Sequence, residues 1–383
     1  MKKKIFIITS SRADYSPLKN LIHAFEESKL FKTFIIATGQ HLDKKSGNTI
    51  NEIKKNHKAK IRKVKIQYKK FSENDISFYI SQMIKKFSLL LKKNRPHLIM
   101  ILGDRYEVLS FALAAVQFRI PIAHIHGGEV TKGSLDNTYR NILTKISNIH
   151  FVCHNDYKRR VIQMGEDPKL VFNFGSPSLE TKKNQIKKNI DRKLFKFIKN
   201  KNTYIITYHP NTIFPKATTK ELDNLLQAIE NFDNLNFIFS YPNFDNFNSE
   251  IVKKINSFSK NRKNVRIIKS IGREKYFIFL RMVAGLIGNS SSSILESSSF
   301  KLPCLNIGSR QEGRIMTKNV ISCDFSKQNI IKGIKKISSK SFQNSLSNLR
   351  NPFYKKNTSL NIYKKIKSIN LNKVINKNFF DMV

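Results

Sequence analysis

Cysteine is scarce in this chain of 383 residues: Cys153, Cys304 and Cys323 are its only three, none in a CxxC spacing. So few, so scattered, they build neither a disulfide framework nor a cysteine zinc site, and a reducing cytoplasm is the expected setting, with no metal implied. Long apolar runs are missing as well. The greasiest stretch, Phe111 to Ile125, is broken by Gln117, Arg119, Pro121 and His124, well short of the roughly 20 residues that span a bilayer. The opening MKKKIFIITSSRAD imitates a signal peptide, yet only Ile5 to Ile8 is continuously apolar, so it reads as a first strand. No membrane association is expected. Nor is there a GxGxxG fingerprint, a glycine-lysine phosphate loop or a GxSxG elbow, which disfavours nicotinamide, ATP and serine-hydrolase chemistry.

Negative charge is the other shortage. Against 70 Lys and Arg stand only 27 Asp and Glu, a net charge of +43. Such a balance invites a nucleic-acid reading, because basic residues release counterions from a phosphate backbone. The distribution argues otherwise: only 16 of the 70 are Arg, the lysines are spread through most helices, and no helix-turn-helix, zinc finger or aromatic RNA-binding run accompanies them. Excess Lys, Asn and Ile together is what an AT-rich genome produces. No nucleic-acid partner is expected, although a basic surface suits anionic substrates.

What is present is alternation. Short Ile, Phe and Val runs alternate with helical-period stretches, which argues for βαβ units and parallel sheets. One set of strands is expected at 4–9, 34–37, 98–102, 122–125, 149–153 and 171–174, a second at 204–207, 236–240, 265–268, 285–287, 304–307 and 320–323. The expected fold is α/β, two Rossmann-like doubly wound domains facing a cleft: residues 1–176, then 177–350, with a tail over 351–383 that has weak helical periodicity and suits either domain. In such sheets ligands bind beyond the carboxyl ends of the strands.

Those ends carry the chemistry. TSSRADYSPLKN places Arg12 in the turn before a helix expected to start near Ser16 with Pro17 in its first turn, an anion site in the manner of a helix N-terminus. An ordinary cap by Asp14 or Ser16 is the alternative. LGDRYEV delivers Asp104 and Arg105, and HIHGGEVTKGSLDNTYR delivers Glu129, then Asp136 at a helix start with Arg140 at i+4. Neighbouring carboxylates push their pKa values apart, which suits acid and base work. The bland alternative pairs Asp136 with Arg140 and Asp104 with Arg105, leaving Glu129 on the surface. Farther on, YHPNT supplies His209 and Asn211, SYPNFDN supplies Asn243 and Asp245, and LIGNSSSSILE places serines 290 to 293 at a helix start with Glu296 about one turn in, followed by Arg310 and Arg314. Serine hydroxyls and free N–H groups at a helix start suit a diphosphate, and a nearby Glu the hydroxyls of a ribose.

Taken in order, TSSRADYS, TGQHL, LGDR, HIHGGEVTKGSLD, YHPNT, YPNFD, GNSSSSILE and NIGSRQEGR resemble the hydrolysing UDP-N-acetylglucosamine 2-epimerases of sialic acid biosynthesis, over about residues 1–325. The resemblance implies a glycosyltransferase-B-like fold, a UDP-sugar as small-molecule substrate, no metal or other cofactor, and a homo-oligomer, dimer or tetramer. It also implies elimination of UDP to a glycal, then hydration to free N-acetylmannosamine. By motif, Arg12, Ser16, Arg105, His209, Asn243, Ser290, Ser291, Glu296 and Arg310 hold the UDP-sugar, and Asp104, Glu129 and Asp136 are the catalytic carboxylates. Non-hydrolysing relatives carry an EAGLR-type sequence where this chain has HGGE, which favours hydrolysis. One subgroup takes the UDP-linked 2,4-diacetamido-2,4,6-trideoxy sugar of the legionaminic acid route, and the sequence leaves both substrates open. A UDP-sugar glycosyltransferase, a nucleic-acid binder and a sensor without turnover are the competing classes.

Overall fold

The computed structural model describes residues 2–43, 49–68, 72–180, 191–210, 218–241, 248–260, 262–268 and 273–382. Two compact units emerge: 1–129 with 136–180 and 353–383, and 130–135 with 181–352. Each is built on one parallel sheet.

The first unit has seven strands, β1 (Lys3–Thr9), β2 (Phe31–Ala37), β3 (Lys60–Lys63), β4 (Leu98–Leu102), β5 (Ile122–Ile125), β6 (Ile149–Val152) and β7 (Val171–Asn173), in the order β3-β2-β1-β4-β5-β6-β7. Its helices include α1 (Arg12–Glu26), α2 (Ile50–Asn56), α3 (Glu73–Lys93), α4 (Tyr106–Gln117), α5 (Asp136–Ile146) and α6 (Asn155–Gln163). Successive side chains of a strand face opposite ways, so the continuous apolar runs feed two cores. Ile5 and Ile7 pack with Leu18, Leu21 and Phe25 of α1, together with Ile362 and Ile366 of the Thr358–Ser368 helix. Phe6 and Ile8 pack with Met83, Phe87 and Leu91 of α3 and with Val108 and Phe111 of α4. The tail therefore belongs to the first unit, where Leu371 and Val374 complete the first of these cores.

The second unit repeats the plan with β8 (Thr203–Thr207), β9 (Asn236–Ser240), β10 (Val265–Ile268), β11 (Gly285–Gly288), β12 (Cys304–Ile307) and β13 (Val320–Cys323), in the order β10-β9-β8-β11-β12-β13. Tyr204 and Ile206 bury against the Thr218–Ile229 and Lys327–Ser338 helices, while Ile205 and Leu286 bury against Ile198, Phe277 and Leu280 on the other face. The segment 130–135 is counted here, where Lys132 N donates to Glu312 O at 3.0 Å.

In both sheets the strand order reverses once, between β1 and β4 and between β8 and β11. Chain connections leave these neighbouring strands in opposite directions, which opens a crevice at their carboxyl ends, the usual ligand position of doubly wound sheets. Two expectations need correction. Helix α1 begins at Arg12 rather than near Ser16, because Ser11 and Asp14 form a capping box, and Pro17 lies inside the helix. The edge strand β3, Lys-Ile-Arg-Lys, was not expected from the sequence, since its side chains are mostly exposed and carry no apolar pattern.

Candidate functional site

At the reversal in the first sheet, the β1–α1 turn is closed by Asp14. Its buried carboxylate accepts from Thr9 Oγ1 (2.6 Å), Ser10 N (2.8 Å), Ser10 Oγ (2.7 Å) and Ser11 N (3.0 Å). The free N–H groups expected at this turn thus have an acceptor within the chain. Arg12 reaches Glu52 of α2 at 3.5 Å, and Ser16 is half-buried one turn farther along α1.

Across the reversal, β4 ends in Gly103, Asp104 and Arg105. Gly103 has φ of +84°, a conformation natural to glycine, and its carbonyl accepts from His124 Nε2 at 2.8 Å. Burial holds the His124 pKa down to about 3, so the ring stays neutral and anchors the peptide just before Asp104. Arg105 does not pair with Asp104. Its Nε and Nη2 donate to Glu107 at 3.0 and 3.1 Å. Glu107 is 1% exposed and lies beside Gly39 of the β2 turn, where a Cβ would stand 3.2 Å from Glu107 Oε1 and 2.8 Å from Ser10 O.

Arg140 of α5 ties the carboxylate-bearing segments together. It is 1% exposed, its Nη2 donates to Asp104 Oδ2, and its Nη1 donates to the carbonyl of Glu129 at 3.0 Å. Asp136 opens the same helix one turn earlier and is half-buried. Arg140 thereby ties the Asp104 carboxylate to the backbone of Glu129 at the carboxyl edge of one sheet, and Asp136 opens the helix that carries it. Glu129 is not on the surface but 2% exposed: Oε1 lies 2.5 Å from His126 Nδ1 and accepts from Cys153 Sγ at 3.4 Å. Gly128 permits the turn between them, with φ of +76° and only 2.4 Å between a hypothetical Cβ and Tyr157 O.

Among the described residues, two groups could present three ligand atoms to a metal, His23–Glu26–His57 and His126–Glu129–Cys153. Ligands on one tetrahedral zinc at 2.0–2.1 Å stand about 3.3 Å apart. The 2.5 Å between His126 and Glu129 is instead the separation of a hydrogen bond.

In the second unit, the reversal lies between His209 and Asn289. His209 N donates to Asn289 Oδ1 (2.7 Å), and Asn289 Nδ2 returns a bond to His209 O (2.9 Å). Asn289 O in turn accepts from Arg310 Nη1 (3.2 Å) and Gln311 Nε2 (2.9 Å). His209 is held well below the ordinary histidine pKa by burial and by the Arg310 charge, so a neutral imidazole stands here. Gly288 makes the close approach possible: its φ is +130°, and a Cβ would meet Thr207 O at 2.1 Å.

Ser290 is buried, Ser291 precedes a single helical turn, Ser292–Leu295, without a side-chain capping bond, and Glu296 accepts from Ser292 Oγ at 2.7 Å. The serine run therefore opens one turn rather than a long helix. Asn243, Asn211 and Asp245 lie outside the described residues. Among the described residues, Arg310 Nε and Gln311 Oε1 are buried atoms without a hydrogen-bond partner, which leaves polar capacity beside Asn289. Sequence reasoning placed His126 at a strand end without giving it a role, and missed Glu107, Ser176, Asn289 and Gln311 altogether. Only Asn289 carried a usable signal, by its place after a strand end in GNSSSS.

A family model described as UDP-N-acetylglucosamine 2-epimerase matches residues 23–367. The chain is 36% identical to a GDP/UDP-N,N'-diacetylbacillosamine 2-epimerase (hydrolyzing) of Campylobacter jejuni, covering 100% of both chains. It is 34% identical to polysialic acid biosynthesis protein P7 of Escherichia coli, over 99% of this chain and 97% of that one. In fold it is similar to the crystal structure of UDP-GlcNAc 2-epimerase from Neisseria meningitidis bound to UDP-GlcNAc, with a TM-score of 0.80, 17% identity, and 96% and 100% of the two chains covered. No helix among the described residues is long and apolar enough to cross a membrane.

Proposed function

The chain belongs to the UDP-N-acetylglucosamine 2-epimerase family as a hydrolysing enzyme, and from that premise we propose that it converts a UDP-linked 2,4-diacetamido-2,4,6-trideoxyglucose into UDP and the free 2-epimer. Identity over the full length to an enzyme named for the diacetylbacillosamine substrate supports this choice of sugar. The geometric observation that carries the chemistry is Arg140, which holds Asp104 and the Glu129 backbone at one strand-end edge.

In this reading, C1–O cleavage releases UDP, and the guanidinium groups of Arg12 and Arg105 absorb its developing charge. One carboxylate takes the C2 proton, which gives the glycal. A second then activates water at C1 while a third returns a proton to C2 on the opposite face. Asp104 and Glu129 are the acid–base pair, with Asp136 the third member. The product, a free 2-acetamido sugar, suits the building of sialic-acid-type units for a bacterial surface polysaccharide. A second reading, UDP-N-acetylglucosamine giving N-acetylmannosamine, is favoured by the description of the matching family.

Proton NMR in D₂O with each UDP-sugar tests both. Free epimer deuterated at C2 from the diacetamido substrate supports the first reading, and turnover of UDP-N-acetylglucosamine alone supports the second. Release of UDP only on addition of an acceptor other than water would replace both with a transferase. Asp104→Asn and Glu129→Gln are each expected to lower turnover on the order of 10²–10⁴-fold while remaining folded.

A further inference from the structure

We propose that His126 is a positioning residue for Glu129, the middle of a buried row Ser176–His126–Glu129 in which the imidazole fixes the carboxylate and stabilises its anionic form. The inference rests on the reading of Glu129 as an acid–base group. Three strands bring the row together: β5 runs into His126, β6 into Cys153, and β7 into Ser176. His126 Nδ1 lies 2.5 Å from Glu129 Oε1, its Nε2 lies 3.1 Å from Ser176 Oγ, and Ser176 Oγ lies 2.8 Å from Ser178 Oγ.

A neutral imidazole has one N–H. With that proton on Nδ1, the ring donates to Glu129 and accepts from the Ser176 hydroxyl, so every polar atom of the ring is used and the tautomer is set. Glu129 Oε1 is then engaged by the ring.

The backbone points the same way. His126 has φ of +71°, the left-handed region, which is unfavourable for a residue with a Cβ and natural to glycine. Glycine occupies the next two positions, so glycine's conformational freedom is used in this turn, yet the residue that bears the strain is a histidine. Its N–H is held by Phe151 O at 3.0 Å, which fixes the ring over the returning chain. The groups facing the pair are Cys153 Sγ from the end of β6, Arg140 of α5 on the Glu129 carbonyl, Arg160 of α6 on the Gly128 carbonyl, and Ser176 after β7.

Three variants separate positioning from mere packing. Asn places an amide N–H where Nδ1 stands and tolerates a positive φ, so His126→Asn is expected to retain the acid limb of the kcat profile. His126→Gly removes the donor while relieving the backbone. It is expected to lower kcat 10- to 100-fold and to move the acid limb upward by about one pH unit, because a hydrogen bond to the charged carboxylate is lost. Ser176→Ala, which leaves Glu129 its donor, is expected to give a smaller loss with the limb close to wild type. If His126→Gly lowers kcat or thermal stability but leaves the limb in place, His126 is structural and the proposal fails.

A readout without turnover keeps this distinct from the epimerase reading. The Nδ1–H proton of wild type is expected as a proton resonance downfield of the amide envelope, absent in His126→Asn and shifted upfield in Glu129→Gln. Its absence from wild type overturns the row. Its presence in a protein inert toward every UDP-sugar leaves the row standing and overturns the epimerase reading alone.

Discussion

Asn289 and His209 exchange two hydrogen bonds across the point where β8 and β11 part, the Asn side chain pairing both the N–H and the C=O of His209 at 2.7 and 2.9 Å. Beyond this point the sheet ladder cannot satisfy these backbone groups, and both residues are buried, at 2% and 6% exposure. Asn289→Ala leaves a buried donor and a buried acceptor without partners, at about 1–3 kcal/mol each. The expected outcome is a lower urea midpoint together with weaker UDP binding by calorimetry. Unchanged affinity in a folded variant would remove His209 and its loop from the nucleotide site.

Arg140 offers a second test. It is almost fully buried, and its partner Asp104 keeps a side-chain exposure of 23%. Removing one member of a buried ion pair costs about 3–5 kcal/mol. Asp104 is open enough to regain water, so Arg140→Met is expected near the lower end in a urea titration, about 3 kcal/mol. Turnover is expected to fall on the order of 10²-fold, because Asp104 and the Glu129 carbonyl lose their common anchor. Arg140→Lys, with one donor head in place of a fork, is expected to fall between wild type and Met in both measurements.

Arg140 also shows how far the sequence carries. Helical spacing suggested Asp136 as its partner at i+4, whereas the fold supplies Asp104 from a strand end 36 residues away, because a buried guanidinium takes whichever carboxylate the sheet edge presents. The two-sheet fold was legible in the alternation of apolar runs and helical stretches, as the buried strands β1 and β8 illustrate, and β3 escaped because an exposed edge strand has no apolar pattern. Asp104, Glu129 and Asp136 could be picked out as polar residues at strand ends. The part played by His126 in the turn could not: positive φ is normally signalled by glycine, and Ser176 is 50 residues distant.

Buried neutral histidines give a pH dependence of stability. His41, His57, His124, His150 and His209 all have pKa values lowered chiefly by burial. Unfolded, each takes up a proton near pH 6.5; folded, each resists until lower pH. The unfolded state thus binds more protons below that value, and stability falls as pH falls, by about 1.4 kcal/mol per pH unit for each proton of difference. Glu26 and Glu166, whose pKa values lie below the ordinary carboxylate range despite burial, extend the loss below about pH 4.5. Urea midpoints measured from pH 8 to 5 are expected to drop steadily once pH passes below 7. A flat profile would mean that these rings are not buried as neutral groups.

The tail after Asn370 provides the last test, because its contribution is both apolar and ionic. Leu371 and Val374 are 5% and 8% exposed within the core shared with α1. Val374 O accepts from Asn148 at 2.8 Å, and Lys377 Nζ reaches Ser147 O at 2.7 Å and Glu166 Oε2 at 2.6 Å. Glu166 is itself buried and also bonded to His150 at 2.9 Å and Lys145 at 3.2 Å. Truncation after Asn370 removes two buried apolar side chains worth about 1.5–3 kcal/mol each and takes one of two lysine cations from a buried carboxylate. The expected loss in a urea titration is therefore about 3–6 kcal/mol. Lys377→Met in the full chain keeps the apolar part and is expected to lose less, with its deficit largest near neutral pH and shrinking as Glu166 protonates. If truncation and point variant lose the same amount, Leu371 and Val374 contribute nothing, and the tail is held by its lysine alone.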